Sequence, residues 1–149
     1  MDKFTNILLA EDDSSDYEFF VEALEKISAT FKITWAKNGL DCMAFLKTNK
    51  PDIIFLDLNM PGYNGRDCLK FIKDNETLAE VPVVIYSTSH YIKDIDACFK
   101  TGAHFYIVKP ADQNLLGSCL ERVMAQLSNT MEQPDKQNFV VGVSTAMES

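Results

Sequence analysis

Short apolar runs alternate with longer stretches of helical period through the first 128 residues. Ile7-Leu8-Leu9-Ala10, Ile53-Ile54-Phe55-Leu56, Val83-Val84-Ile85-Tyr86 and Phe105-Tyr106-Ile107-Val108 are continuously apolar, as strands are when helices cover both faces of a parallel sheet. Phe31-Lys32-Ile33-Thr34-Trp35 alternates instead, which predicts a strand at a sheet edge. Between the first two runs, Tyr17, Phe20, Val21, Leu24 and Ile27 recur at steps of three and four behind Ser15 and Glu18, which are spaced as a capping box. That pattern predicts a helix over 15–28. Leu116, Cys119, Leu120, Val123 and Leu127 form a second stripe, and weaker periodicities place helices near 39–48, 66–74 and 91–100. Five strand–helix units in succession predict an α/β domain with a parallel sheet. The expected architecture is a doubly wound three-layer sandwich with strand order 2-1-3-4-5, its crevice at the carboxyl ends of strands one and three where the order reverses. After Asn129 the chain turns polar, through Gln133-Pro134-Asp135-Lys136-Gln137-Asn138, before the apolar patch Phe139-Val140-Val141-Gly142-Val143. The domain is therefore expected over 1–128. Residues 129–149 are expected as a tail, either flexible or packing its patch on the domain or on a partner.

A length of 149 residues suits one domain with its own core. The net charge of −8 at pH 7 works against nucleic acid and anionic lipid as partners, and no apolar run approaches the roughly 18 residues a membrane helix needs. Cys42, Cys68, Cys98 and Cys119 form no CxxC pair, and the start of the chain lacks the pattern of a secretory signal. Reduced, buried thiols and a cytoplasmic location are expected.

If the apolar runs are strands, the polar residues that follow them share one rim. Glu11-Asp12-Asp13 follow the first, Asp57 the third, Ser87-Thr88 the fourth and Lys109-Pro110 the fifth. Carboxylates gathered around one lysine repel one another unless a cation sits among them. Hard oxygens with no His or Cys nearby in sequence suit Mg²⁺, which takes one or two carboxylates and keeps waters for a phosphoryl group. The rim therefore reads as a metal-assisted phosphoryl site. Trp35 reads as packing, and His90 and His104 as loop residues without the helical context of a phosphorylated histidine.

Ile7 to Asp13, the segment Phe55-Leu56-Asp57-Leu58-Asn59-Met60-Pro61 with Gly65, then Ser87, then Lys109-Pro110 resemble the response-regulator receiver domain of two-component signalling. The resemblance spans about residues 4–128, and the separations of 45 from Asp12 to Asp57, 30 from Asp57 to Ser87 and 52 from Asp57 to Lys109 are close to those of that family. It implies a flavodoxin-like (βα)₅ fold with Asp57 as phosphoacceptor. Mg²⁺ would be held by Asp12 and Asp57, by the backbone carbonyl of Asn59, and by Glu11 through water. Lys109 would pair with one phosphoryl oxygen and Ser87 would donate its hydroxyl to another. Tyr106 stands at the family's aromatic switch position, where its movement with Ser87 would repack the face made by the fourth helix, fifth strand and fifth helix. Lys109-Pro110 matches a pair usually joined by a cis peptide. Some positions depart from the common pattern: Ser87 stands where Thr is frequent, Thr88 where a smaller residue is common, and Ala111-Asp112 where a Phe often follows the Lys-Pro pair.

Rival readings fail at particular residues. A flavodoxin would need amides and hydroxyls around a phosphate dianion in its first loop, where Glu11-Asp12-Asp13 stand. A phosphatase of the haloacid-dehalogenase type would need a second aspartate two residues after Asp57, where Asn59 stands. The alternative from another class is a phosphorylation-independent interaction module. As a receiver, the chain is expected to be no enzyme in the ordinary sense, catalysing only its own phosphorylation and dephosphorylation. Its expected partners are a sensor histidine kinase or phosphotransfer protein and a downstream protein target, with neither nucleic acid nor membrane. The acidic start Glu11 to Asp16 and the long third loop are similar to stand-alone receivers, including phytochrome-associated ones. Tyr86, Tyr91, Phe99 and Tyr106, on or near the switch face, suggest a homodimer through it.

Overall fold

Strands form where the apolar runs lie. In the computed structural model, which describes residues 4–28 and 30–142, these are β1 (Asn6–Ala10), β2 (Lys32–Ala36), β3 (Ile53–Leu56), β4 (Val83–Ser87) and β5 (Phe105–Val108). Helices α1 (Ser14–Ile27), α2 (Gly39–Leu46), α3 (Gly65–Asp74), α4 (Ile92–Thr101) and α5 (Gln113–Asn129) follow them in turn. All strand pairs are parallel, and the first five strands take the order 2-1-3-4-5 with β2 at the edge. Side chains alternate between two buried faces. Leu8, Ile54, Leu56, Val83 and Ile85 pack with residues of α2, α3 and α4, while Ile7, Leu9, Ile53, Phe55 and Val84 pack with α1 and α5.

Short polar side chains start the helices by taking up amides that the first turn leaves without partners. Asp13, rather than the Ser15–Glu18 pair, caps α1: its side chain accepts from the Asp16 amide at 3.0 Å. Asn38, Asn64 and Asp112 cap α2, α3 and α5, with Asp67 completing a reciprocal box at Asn64. Gly102 ends α4 at φ +107°, in the left-handed region that favours glycine.

Residues 131–142 of the tail pack on their own domain. A short α6 (Lys136–Phe139) leads into β6 (Val140–Val141), which pairs parallel to β5 through Tyr106↔Val140 and Ile107↔Val141. The sheet therefore has six strands in the order 2-1-3-4-5-6, and β5 lies inside it. Four attachments hold the segment. Gln133 Nε2 donates at 2.7 Å to the carbonyls of both Phe99 and Ala103, Nε2 of His104 lies 2.9 Å from the Met131 carbonyl, Lys136 pairs with Asp96, and Phe139 is fully buried. The Phe139 ring meets Phe99 edge-on at 5.1 Å and Tyr106 at 6.2 Å. Of the apolar patch, only Val143 lies outside the described residues. The face of α4 and β5 is thus covered in part by the chain itself. Tyr86 and Tyr106 are buried and Phe99 is packed under Phe139, which leaves Tyr91 as the exposed member of the four aromatics. All peptide bonds among the described residues are trans, Lys109–Pro110 included, contrary to the cis bond that the resemblance implies.

Two stability predictions follow from these contacts. Phe139→Ala is expected to cost about 3–5 kcal/mol in urea unfolding, since the ring leaves a cavity between α4 and the sheet; an unattached tail would give almost no change. His104 lies in the loop before β5, as expected, but is buried there, and burial, reinforced by the Lys73 charge, pushes its pKa down to about 4 against the opposing bond to Met131. The unfolded chain takes up that proton near pH 6.5, so it binds more protons than the folded chain between pH 6.5 and 4. The contribution of His104 to stability should therefore fall as the pH is lowered through that interval. His104→Gln should lose less over the same range, by on the order of 2 kcal/mol, in unfolding curves recorded at each pH.

Candidate functional site

The strand ladder continues past the strand ends and fixes the rim. The Glu11 amide donates to the Ala36 carbonyl at 3.0 Å, the Asp57 amide to Ala10 at 3.0 Å, and the Lys109 amide to Ser87 at 2.8 Å. Trp35 Nε1 donates to the Glu11 carbonyl at 2.7 Å while its ring stacks on Tyr17 at 4.0 Å, so the lone tryptophan clamps the end of β1. Behind Asp57, a Cβ at Gly65 would collide with the Asp57 carbonyl. The bare glycine thus lets the first turn of α3 lie against the loop that carries Asp57.

Three of the predicted carboxylates converge. Glu11, Asp12 and Asp57 each offer an oxygen, all within 4.8 Å of one another, with Glu11 and Asp57 buried and Asp12 exposed. Lys109 Nζ lies 2.8 Å from Glu11 Oε1 and 3.1 Å from Asp57 Oδ2. Burial raises the pKa of Glu11 to about 8, with the Asp57 charge adding to the rise and Lys109 opposing it. Burial also works against the charge on Lys109, but the carboxylates around it outweigh that and hold its pKa above the usual lysine value. One ammonium does not neutralise this many carboxylates. Hard oxygen donors with unspent negative charge around a partly open position fit a divalent cation.

Other predicted residues take different places. Asn59 is exposed two residues beyond Asp57, and its amide donates to Asp57 Oδ1 at 3.0 Å. Ser87 is the last residue of β4, fully buried, and its Oγ accepts from the Ser89 amide at 3.2 Å. Tyr106 is also buried and donates its hydroxyl to the Ser89 carbonyl at 2.7 Å. Burial holds that phenol up at about 12. Ser89 is thus gripped from two strands, and its own hydroxyl donates to Asp94 of α4, which pairs with Arg66 of α3. Asp13 is spent on its cap. Thr88 and His90 are exposed in the β4–α4 loop, where His90 stacks on Tyr91. All four cysteines are buried and unpaired.

Two participants escaped the sequence reading. Asp16, in the first turn of α1, accepts from Lys109 Nζ at 2.8 Å. The Ser89–Asp94–Arg66 chain joins the β4–α4 loop to two helices. The available signal for Asp16 was its place in the first turn of a helix that follows directly on the acidic run. A cavity of about 670 Å³ lies away from all of this, among Phe4, Lys50, Asp52, His104 and Glu132. No helix among the described residues is long and apolar enough to cross a membrane.

Comparison with known proteins agrees with this geometry. The response regulator Rcp1 of Synechocystis sp. is 34% identical over 110 residues, which cover 69% of this chain and 75% of that protein. The crystal structure of the phosphorylated cyanobacterial phytochrome response regulator RcpA superposes with a TM-score of 0.76 at 31% identity, covering 85% of this chain and 96% of the other. The Mn²⁺-bound form of Rcp1 gives 0.74 at 30%, covering 87% and 99%. Residues 7–121 match the model of the response regulator receiver domain, with every predicted rim residue inside that span, and the chain belongs to that family.

Proposed function

We propose that this chain is a phosphoacceptor response regulator of the cytoplasm, taking a phosphoryl group on Asp57 from a histidine kinase or phosphotransfer protein with Mg²⁺ as cofactor. The observation that carries this reading is the juxtaposition at Asp57. The carboxylate is buried, held from one side by the Asn59 amide and from the other by Lys109, and it shares an open rim with Glu11 and Asp12. The relatives described as phosphorylated and as Mn²⁺-bound support it.

An Asp57 oxygen would attack phosphorus as the bond from phosphorus to the donor's imidazole nitrogen breaks, its electron pair leaving with the imidazole. A divalent cation held by Asp12, Asp57 and Glu11, with the Asn59 carbonyl, would neutralise charge on the phosphoryl oxygens. Lys109 would supply the fixed positive charge opposite, in a pocket where a preorganised charge acts more strongly than in water. Ser87 would donate to a phosphoryl oxygen after giving up the Ser89 amide. That loosens the loop that Tyr106 also holds, and so passes the change to the face of α4, β5 and α5. Residues 131–142 cover part of that face, so the surface offered to a downstream protein includes the chain's own tail. The chemistry is the protein's modification of itself, with no turnover of a separate substrate.

Intact-protein mass after incubation with acetyl phosphate and Mg²⁺ should rise by about 80 Da, the mass of one added phosphoryl group, and Asp57→Asn or omission of Mg²⁺ should abolish the gain. A mass that stays constant in conditions where the cation binds would overturn the reading. Cation binding has its own reporter, since the single tryptophan is bonded to the Glu11 carbonyl. Mg²⁺ should change Trp35 emission with saturation, and Asp12→Ala should weaken the apparent affinity by about tenfold or more.

A further inference from the structure

The Lys109 ammonium has three protons, and three carboxylate oxygens surround it: Glu11 Oε1 at 2.8 Å, Asp16 Oδ2 at 2.8 Å and Asp57 Oδ2 at 3.1 Å. These three are not equivalent. Glu11 and Asp57 belong to the group of oxygens that fits a cation, whereas Asp16 does not. Asp16 is also the one carried by a helix, in the first turn of α1, where a negative side chain is favoured by the amides of the helix start. Its side chain is 41% exposed, against 9% for Lys109, so it holds the ammonium from the solvent side.

We propose that Asp16 is a positioning residue for phosphorylation: it anchors the Lys109 ammonium so that one N–H stays directed at the oxygen on Asp57 and passes to a phosphoryl oxygen as the acyl phosphate forms. Lysine is a point charge on a flexible four-carbon stem, and it acts on the transferring group only if it is already in place. Glu11 is an anchor shared with the cation site, so Asp16 is the one that Lys109 keeps for itself. The inference rests on the phosphoacceptor reading above.

A purely electrostatic role has the opposite sign. One negative charge fewer on the rim would ease the approach of an anionic donor, and loss of Asp16 would then speed the reaction. Loss of an anchor slows it.

The test follows the rate of mass gain from acetyl phosphate at saturating Mg²⁺ in the full chain, with Mg²⁺ affinity read in parallel from Trp35 emission. A small donor keeps kinase docking out of the measurement. Asp16→Asn, nearly the same shape without the charge, should slow the reaction about fivefold and Asp16→Ala about tenfold. Asp16→Glu should recover most of the rate, and Mg²⁺ affinity should stay within about twofold throughout. Wild-type rates in both Asp16→Asn and Asp16→Ala, or a faster reaction in either, would overturn the proposal while leaving the phosphoacceptor reading intact. So would a slowing matched by an equal loss of Mg²⁺ affinity, which marks a structural role. Absence of phosphorylation in the wild type would overturn the underlying reading itself. Should Asp16→Ala fail to fold, the Asn and Glu variants decide the matter alone.

Discussion

An ammonium group that is nearly buried needs anionic partners, and carboxylates that are nearly buried need a cation. At the carboxyl end of this sheet both requirements meet at Lys109. Its stem crosses from β5 to the ends of β1 and β3 and to the start of α1, so four elements of the fold share one charge. Neither side is tolerable alone, because desolvation of an unpaired ion costs more than most single interactions return. The rim is nevertheless left with excess negative charge, which adds to the rise that burial imposes on the pKa of Glu11 and favours a bound cation. A site balanced in this way is stable enough to fold and unsatisfied enough to bind.

From the rim, a second set of bonds runs toward the far edge of the sheet. Ser87 and Tyr106 both close on Ser89, Asp94 ties Ser89 to α4, and Arg66 ties Asp94 to α3. The Tyr106 ring then meets Phe139 of the tail. Ser87 is thereby joined to a hydrogen-bonded loop and to a packed aromatic, which are the kinds of element that can shift between discrete arrangements.

The fold was legible because its signals are local. Continuous apolar runs mark buried parallel strands, alternation marked β2 as an edge, and each short connection left room for one topology. The rim was legible for a related reason, since residues placed just after strands share one end of the sheet whatever lies between them. What escaped depends on distance along the chain or on a choice between equals. Ser15–Glu18 and Asp13 both offer cap chemistry, and only the backbone path shows that Asp13 has it. Asp16 meets Lys109 across 93 residues with no pattern to announce it. The tail's polar stretch reads as solvent-exposed, yet Gln133 and Lys136 spend their polarity on α4, and Phe139 and Val141 provide enough apolar surface to seat the segment. The resemblance to a family carried the assignment of roles, and it misled at Lys109–Pro110, where the bond is trans.

The sixth strand also changes how the molecule behaves among copies of itself. A sheet that ended at β5 would present the backbone donors and acceptors of an apolar strand to any extended chain nearby, a template for edge-to-edge aggregation. With β6 in place the margin is, among the described residues, two residues long and followed by a glycine at positive φ. The opposite margin, β2, carries Lys32 exposed at its start. A short edge on one side and one that carries an exposed lysine on the other give little purchase for strand addition.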